Sequence, residues 1–127
     1  MDRRATCLNC MDGRVQSPVL AWIKHNYAVD FVDVITEAGM DGVLANHEDI
    51  SVVLRSIGVS VNLNKSTRVF IVGHYDCRGN AVEEAVHKKD IARSVSRLKK
   101  HLPKLKITGL WVDDSWSVRE LPAVKNI

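Results

Sequence analysis

Two thiols and an imidazole are the side chains of this chain best suited to one chemistry. Cys10 closes an apolar stretch near the start, and His74 and Cys77 form a His-x-x-Cys directly after the most strand-like run, Arg68-Val-Phe-Ile-Val-Gly73. Thiolate and imidazole are the donors that zinc, a borderline-soft ion, takes in a tetrahedral shell. Three protein donors leave a fourth position open, as a catalytic zinc needs. His-x-x-Cys alone arises easily by chance, so its weight comes from position. If Cys10 and His74 both stand just beyond the carboxyl ends of strands, side chains sixty-odd residues apart can converge on one point. Cys10-Met-Asp-Gly-Arg14 adds the carboxylate of Asp12 and the guanidinium of Arg14 at alternate positions, so all three side chains can face one way on an extended segment. Alone, Asp12 and Arg14 would read as turn residues or a surface ion pair worth roughly 0 to 1 kcal/mol. Beside a metal they become candidates for the chemistry.

The elements that must position these residues alternate between strand and helix. A strand over residues 5–8 leads into the Cys10 loop, and Ser17-Pro18 reads as N-cap and first residue of a helix running to Tyr27. A β-branched second strand spans 31–36, followed by the Ala38-Gly39 turn and a glycine-bearing loop. From about Glu48 a helix buries Ile50, Val53, Leu54 and Ile57 on one face, with Gly58 placed to stop it. The third strand, over 68–73, is apolar throughout, as a strand covered on both faces must be, and belongs in the sheet centre. After Cys77 two apolar stripes, Val82-Ala85-Val86 and Ile91-Val95-Leu98-Leu102, are out of phase. Two helices are expected, broken at Lys88-Lys89 with Asp90 as the second N-cap. Residues 105–112 form a fourth strand before a short tail with Trp116 and Pro122. Strands joined through helices run parallel by right-handed crossovers, giving a layered α/β sheet. Ligands in such sheets bind beyond the carboxyl ends of the strands, where strand order reverses.

Composition bounds the rest. A chain of 127 residues that is 46% hydrophobic has enough apolar material for one core and too little length for two ordinary domains, so residues 1–127 are expected to form a single zinc domain. No apolar run approaches the roughly 18 residues of a membrane helix, and the start is too polar for a signal peptide, so a soluble cytoplasmic protein is expected. Three cysteines, an odd number, fit metal or redox chemistry in a reducing compartment better than a disulfide scaffold. Net charge is +3, and eight lysines and arginines gather around one aspartate over residues 88–106. So modest an excess, with no interleaved aromatic residue, reads as the solvated face of a helix, and nucleic acid is not expected as a partner.

Cys10-x-Asp12-x-Arg14, then a helix, a strand ending at Ala38-Gly39 and Val-Gly-His74-x-x-Cys77, resembles the β-class carbonic anhydrases, with the motifs in their usual order. Lys106-Ile-Thr-Gly-Leu-Trp-Val-Asp113 is similar to the last core strand of that family, so the likeness runs from Ala5 to about Leu121. It implies a four-stranded parallel sheet in the order 2-1-3-4, flanked by helices on both faces. It also implies one Zn2+ per chain on Cys10, His74 and Cys77, with Asp12 and Arg14 as the dyad beside it. Asp12 would accept a hydrogen bond from the zinc-bound hydroxide, while Arg14 holds the carboxylate off the metal. The activity implied is reversible hydration of carbon dioxide to bicarbonate, by a lyase that assembles as a homodimer or a larger homo-oligomer. Many members wrap an N-terminal helical arm around a partner; here the sequence starts only a few residues before its first strand, and the arm is expected to be missing. Three positions depart from the family pattern. Gly13 stands where serine is usual, Thr36-Glu37 where Arg-Asn precedes Ala-Gly, and Arg78 where glycine follows the cysteine. Arg78 would then sit beside the metal at a helix start, placed to attract an anion or obstruct substrate.

Two other readings stay open. The same zinc hydroxide would also hydrolyse a related small molecule such as carbon disulfide or carbonyl sulfide. A non-catalytic member would use zinc to hold the fold and bind something else. Cys7 completes a Cys-x-x-Cys with Cys10, which allows a redox pair or a closed four-ligand site. On a strand, positions three apart face opposite sides, so Cys7 is expected in the core. His25, His47, His87 and His101 read as surface histidines, Trp22 as packing on a helix face and Trp111 beside the sheet. Tyr75 and Asp76 fall in the loop that carries the motif.

Overall fold

The structure is a computed structural model and describes residues 3–123. Strands β1 (Arg4–Cys10), β2 (Phe31–Glu37), β3 (Arg68–His74), β4 (Lys106–Val112) and β5 (Val118–Glu120) form one sheet in the order β2-β1-β3-β4-β5. The first four are parallel, in the expected order with β3 at the centre. The sheet is mixed, however, and has five strands instead of four: β5 returns antiparallel along β4, pairing Val118 with Val112 and Glu120 with Leu110. The turn that reverses the chain is built by Asp113, whose carboxylate accepts the amides of Ser115 and Ser117 at 3.0 Å each. A strand of three residues carries no alternation to read, which is why it passed for a tail.

Helix α1 (Gln16–Asn26) covers one face of the sheet, where Val15, Val19 and Ile23 pack on Ala5, Cys7, Phe70, Val72 and Leu110. It begins before the expected Ser17 cap, because a single 3-10 turn (Gly13–Val15) capped by Asp12 leads straight into it. The other face is covered by α2 (Met40–Asn46), α3 (Ser51–Gly58) and α4 (Glu84–His101), whose Leu44, Ile57, Ile91 and Leu98 meet Leu8, Val69, Ile71 and Trp111. Gly58, expected to stop helix α3, does not: it is in right-handed helical conformation and the chain runs on into a π-helical turn, Val59–Leu63.

Two helical expectations are corrected. The loop after Ala38-Gly39 is α2, a helix of seven residues with Gly42 inside it and no side-chain N-cap, so it lacks the usual start signal. Its stability comes from elsewhere. Arg97 of α4 donates to the carbonyls of Leu44, His47 and Glu48 at 2.9, 2.5 and 2.8 Å, and Arg93 to the carbonyl of Ala45 at 3.0 Å. Two cations of the basic stretch therefore cap the end of a helix. The second correction is that residues 84–101 form one helix, not two. Its buried stripe is His87, Asp90, Ile91, Ser94, Val95 and Leu98. Three of these are polar, and counting only apolar residues splits the stripe in two. Asp90 caps nothing; its carboxylate is buried and accepts from Asn80 at 3.0 Å.

Replacing Arg97 by alanine leaves three carbonyls at the end of α2 without their charged donor. At about 0.5–3 kcal/mol for hydrogen bonds of this kind, discounted for the exposed pair, a loss near 1–2 kcal/mol is expected. Urea denaturation measures it, and a midpoint within error of the unaltered chain would show that α2 does not depend on this cap.

Candidate metal centre

Strand order reverses between β1 and β3, because β2 lies outside β1 while β3 and β4 continue on the other side. The neighbouring ends of β1 and β3 carry Cys10 and His74, and Cys77 follows after a turn at Tyr75-Asp76. All three are buried, and one donor atom from each lies within 4.8 Å of the others, a set that could hold a metal ion. The two sulfurs are 3.9 Å apart. Two thiolates bound tetrahedrally at a Zn–S length of about 2.3 Å stand about 3.8 Å apart, so the pair already has the spacing. His74 is arranged for the same purpose. Its Nδ1 lies 2.7 Å from the Tyr75 carbonyl and must donate to it, which leaves the lone pair on Nε2, and Nε2 is buried with no hydrogen-bond partner among the described residues.

Electrostatics favour a cation here. Without one, the Cys77 thiol donates toward Cys10, and the nearby His74 ring and the amides of Gly39 and Asp12 also favour the thiolate, so burial is outweighed and Cys10 is held well below the ordinary thiol range. Cys77 is pushed up, since the Cys10 thiolate it bonds and its own burial both resist a second negative charge. Burial works against protonating His74, yet the Cys10 thiolate and the Tyr75 carbonyl raise its pKa overall. Cys7 stands apart from this cluster: it is fully buried against the α1 side of the sheet, and burial alone pushes its thiol up to about 12.

Asp12 and Arg14 are brought together, in the turn after β1 and not on the strand itself. Arg14 donates from Nη2 to Asp12 Oδ2 at 2.7 Å and from Nε to Oδ1 at 3.1 Å, while its backbone amide reaches Oδ1 at 2.9 Å. The guanidinium, with these hydrogen bonds, holds the Asp12 carboxyl down to about 2. The Asp12 carboxylate is not one of the cluster's three donors. Gln16 pins the turn by donating to the carbonyls of Cys10 and Asp12 at 2.8 and 2.9 Å.

Two glycines bring the loops behind the cysteines into contact. Gly39 has φ +63, and a Cβ on it would lie 2.4 Å from the Gly79 carbonyl carbon; one on Gly79 would lie 2.5 Å from the backbone of Ala38 and Gly39. The close approach lets the Gly39 amide donate to the Cys10 sulfur at 3.4 Å. Next to it, Asn80 donates to the carboxylates of Asp41 and Asp90 at 3.2 and 3.0 Å. His87, expected at the surface, is instead buried with Nδ1 2.6 Å from Asp41 and its ring tilted against Trp111. Its place on the stripe shared with Ile91, Ser94 and Leu98 was the signal available in the sequence. His25, His47 and His101 are exposed as expected. Arg78 is also exposed, and it does not start a helix, since α4 begins only at Glu84.

A family model described as "Putative carbonic anhydrase" matches residues 1–122. No curated protein sequence matches the chain. Among solved structures, one of two tetrameric β-carbonic anhydrases from the filamentous ascomycete Sordaria macrospora has a TM-score of 0.70 at 11% identity, over 99% of this chain and 84% of that one. The β-carbonic anhydrase CafD of Aspergillus fumigatus gives 0.64 at 13% identity, over 96% and 90%. CafA of the same fungus gives 0.55 at 16% identity, over 98% and 78%. At these identities the likeness is one of fold.

The contrast between the thiols is measurable in reduced, metal-free protein. A thiol with a pKa of about 12 is ionised in roughly one molecule in ten thousand at pH 8. Iodoacetamide at that pH is expected to modify Cys10 in the folded protein and Cys7 only after denaturation. Peptide mapping that found Cys7 modified as fast as Cys10 would contradict the placement of Cys7 in the core.

Proposed function

The chain belongs to the family of putative carbonic anhydrases, and on that premise we propose that it interconverts carbon dioxide and bicarbonate with one zinc ion per chain held by Cys10, His74 and Cys77. The observation that carries this reading is the buried trio of two sulfurs and a partnerless imidazole nitrogen at the switch point of the sheet. Zinc held by these residues would lower the pKa of its bound water and so supply a hydroxide nucleophile for carbon dioxide.

The residues of the chain do the rest. The two thiolates give the charge that retains the ion, and the Tyr75 carbonyl aims the His74 ring. Three protein donors leave one position open for the reacting oxygen. Asp12, kept ionised by Arg14, has only acceptor character and would orient that oxygen by taking a hydrogen bond from it. Thiolates donate more charge to zinc than imidazoles do, so the acidification is smaller than in a three-histidine site and the rate is expected to rise toward alkaline pH. Among the described residues no helix is long and apolar enough to cross a membrane, and all three cysteines are free. We place the protein in the cytoplasm as a homodimer or larger homo-oligomer; the Sordaria relatives of the same fold are tetramers.

Stopped-flow hydration of carbon dioxide across pH, alongside metal analysis, tests the reading. Hydration is expected to need zinc, to rise with pH and to vanish with the metal in Cys77→Ala. Asp12→Asn should retain zinc and lose about 10–100-fold in rate. One zinc per chain with hydration at background even at alkaline pH would refute the assignment.

A further inference from the structure

The guanidinium of Arg14, exposed on its outer side, is gripped by three separate segments of the chain. The turn after β1 gives Asp12, which takes Nε and Nη2. The loop after β3 gives Asp76, whose Oδ2 accepts from Nη1 at 3.2 Å and whose carbonyl accepts from Nη2 at 3.1 Å. The turn between β4 and β5 gives Trp116, whose ring centroid lies 4.7 Å from Arg14 Cζ, within cation–π distance, and 6.3 Å from the His74 ring. Neither Asp76 nor Trp116 has a part in the function proposed above.

Both gripping residues hold an unusual backbone. Three non-glycine residues among those described have positive φ, and two of them are Asp76 at 55° and Trp116 at 59°. Aspartate tolerates the left-handed region; a tryptophan rarely enters it and stays only where its surroundings over-determine it. Here the surroundings do so. The Trp116 amide bonds the Asp113 carbonyl at 3.0 Å, the Asp113 carboxylate holds the amides on either side of Trp116, and β5 closes the turn against β4. Strain of this kind persists at places where geometry serves a function.

We propose that Asp76 and Trp116 are positioning residues that lock Arg14, and through it Asp12, so that the Asp12 carboxylate stays outside the Cys10–His74–Cys77 cluster. The inference rests on the zinc reading, because what is kept open is the fourth position on that ion. Asp12 is two residues beyond a ligand, and a carboxylate is a competent zinc donor, so the cation draws it inward. Arg14 opposes that pull, and a long, half-exposed side chain opposes it reliably only when it is itself held. The salt bridges from Arg14 to Asp12 and Asp76 leave both carboxylates sharing one guanidinium. The cation–π contact with Trp116 adds a third hold on the guanidinium.

Two variants test this without charging the fold. Asp76→Asn keeps the carbonyl contact and suits the left-handed backbone, and Trp116→Gly adopts that backbone freely. In metal-free protein, the Arg14 Nε–H resonance is expected to exchange slowly with solvent and to speed up by about 10-fold or more in Trp116→Gly. In cobalt(II)-loaded protein, azide titrated against the visible spectrum should bind the open position, and both variants should need about 10-fold more azide. Adding Asp12→Asn to either variant should restore the original azide affinity, since the competing carboxylate is gone. Unchanged Nε–H exchange, unchanged azide affinity at one cobalt per chain, or weakening that survives Asp12→Asn would each overturn the proposal. A chain with protected Nε–H that takes up no cobalt would instead overturn the zinc reading, and with it the purpose assigned to the clamp.

Discussion

The carboxyl ends of β1 and β3 lie side by side because strand order reverses between them, and this one juxtaposition makes the site possible. Cys10 and His74 each end a strand in a sheet whose centre is packed on both faces, so neither can drift away from the other. Cys77 depends on a loop instead, and that loop is fixed from outside. The Gly39–Gly79 contact holds its backbone, and Asn80 ties it to buried carboxylates on α2 and α4. Helix α2 in turn depends on Arg93 and Arg97 at its end. A basic stretch that looks like a surface feature therefore supports the Cys77 loop at two removes.

Charge organises the same region in a second way. Two sulfurs 3.9 Å apart in a buried site resist carrying two negative charges, and the Cys10 thiolate together with burial pushes the Cys77 thiol up. A divalent cation bound there would remove that conflict by taking the proton's place. The two carboxylates outside, Asp12 and Asp76, share Arg14. A cation held inside, with Arg14 outside, would satisfy four acidic groups.

Most of this could be read from residues in order. The four parallel strands and the placing of Cys10 and His74 at strand ends followed from apolar runs broken at glycine and by polar loops, while the order of the strands in the sheet came from the resemblance to the β-class carbonic anhydrases. What escaped was either too short or too polar to leave a pattern. Strand β5 has three residues. Helix α2 has no cap, carries a glycine and is stabilised by arginines some fifty residues away. His87 and Asp90 lie on the buried stripe of α4 but count as polar, so they split one helix into two on paper and put a core histidine at the surface. Trp116 read as part of a tail because its role depends on β5, whose existence depends on the side chain of Asp113. Helix α2, His87 and Asp90 involve polar groups satisfied by partners ten or more residues away, and β5 rests on the local turn of Asp113, none of which periodicity registers.

Zinc K-edge X-ray absorption on protein expressed with zinc in the medium is the most direct test of the central claim. Two sulfur neighbours near about 2.3 Å and two nitrogen or oxygen neighbours near about 2.0–2.1 Å are expected, from Cys10, Cys77, His74 and one exchangeable ligand. A shell of three sulfurs, which would bring in Cys7, or one with none, or protein that retains no zinc, would contradict it.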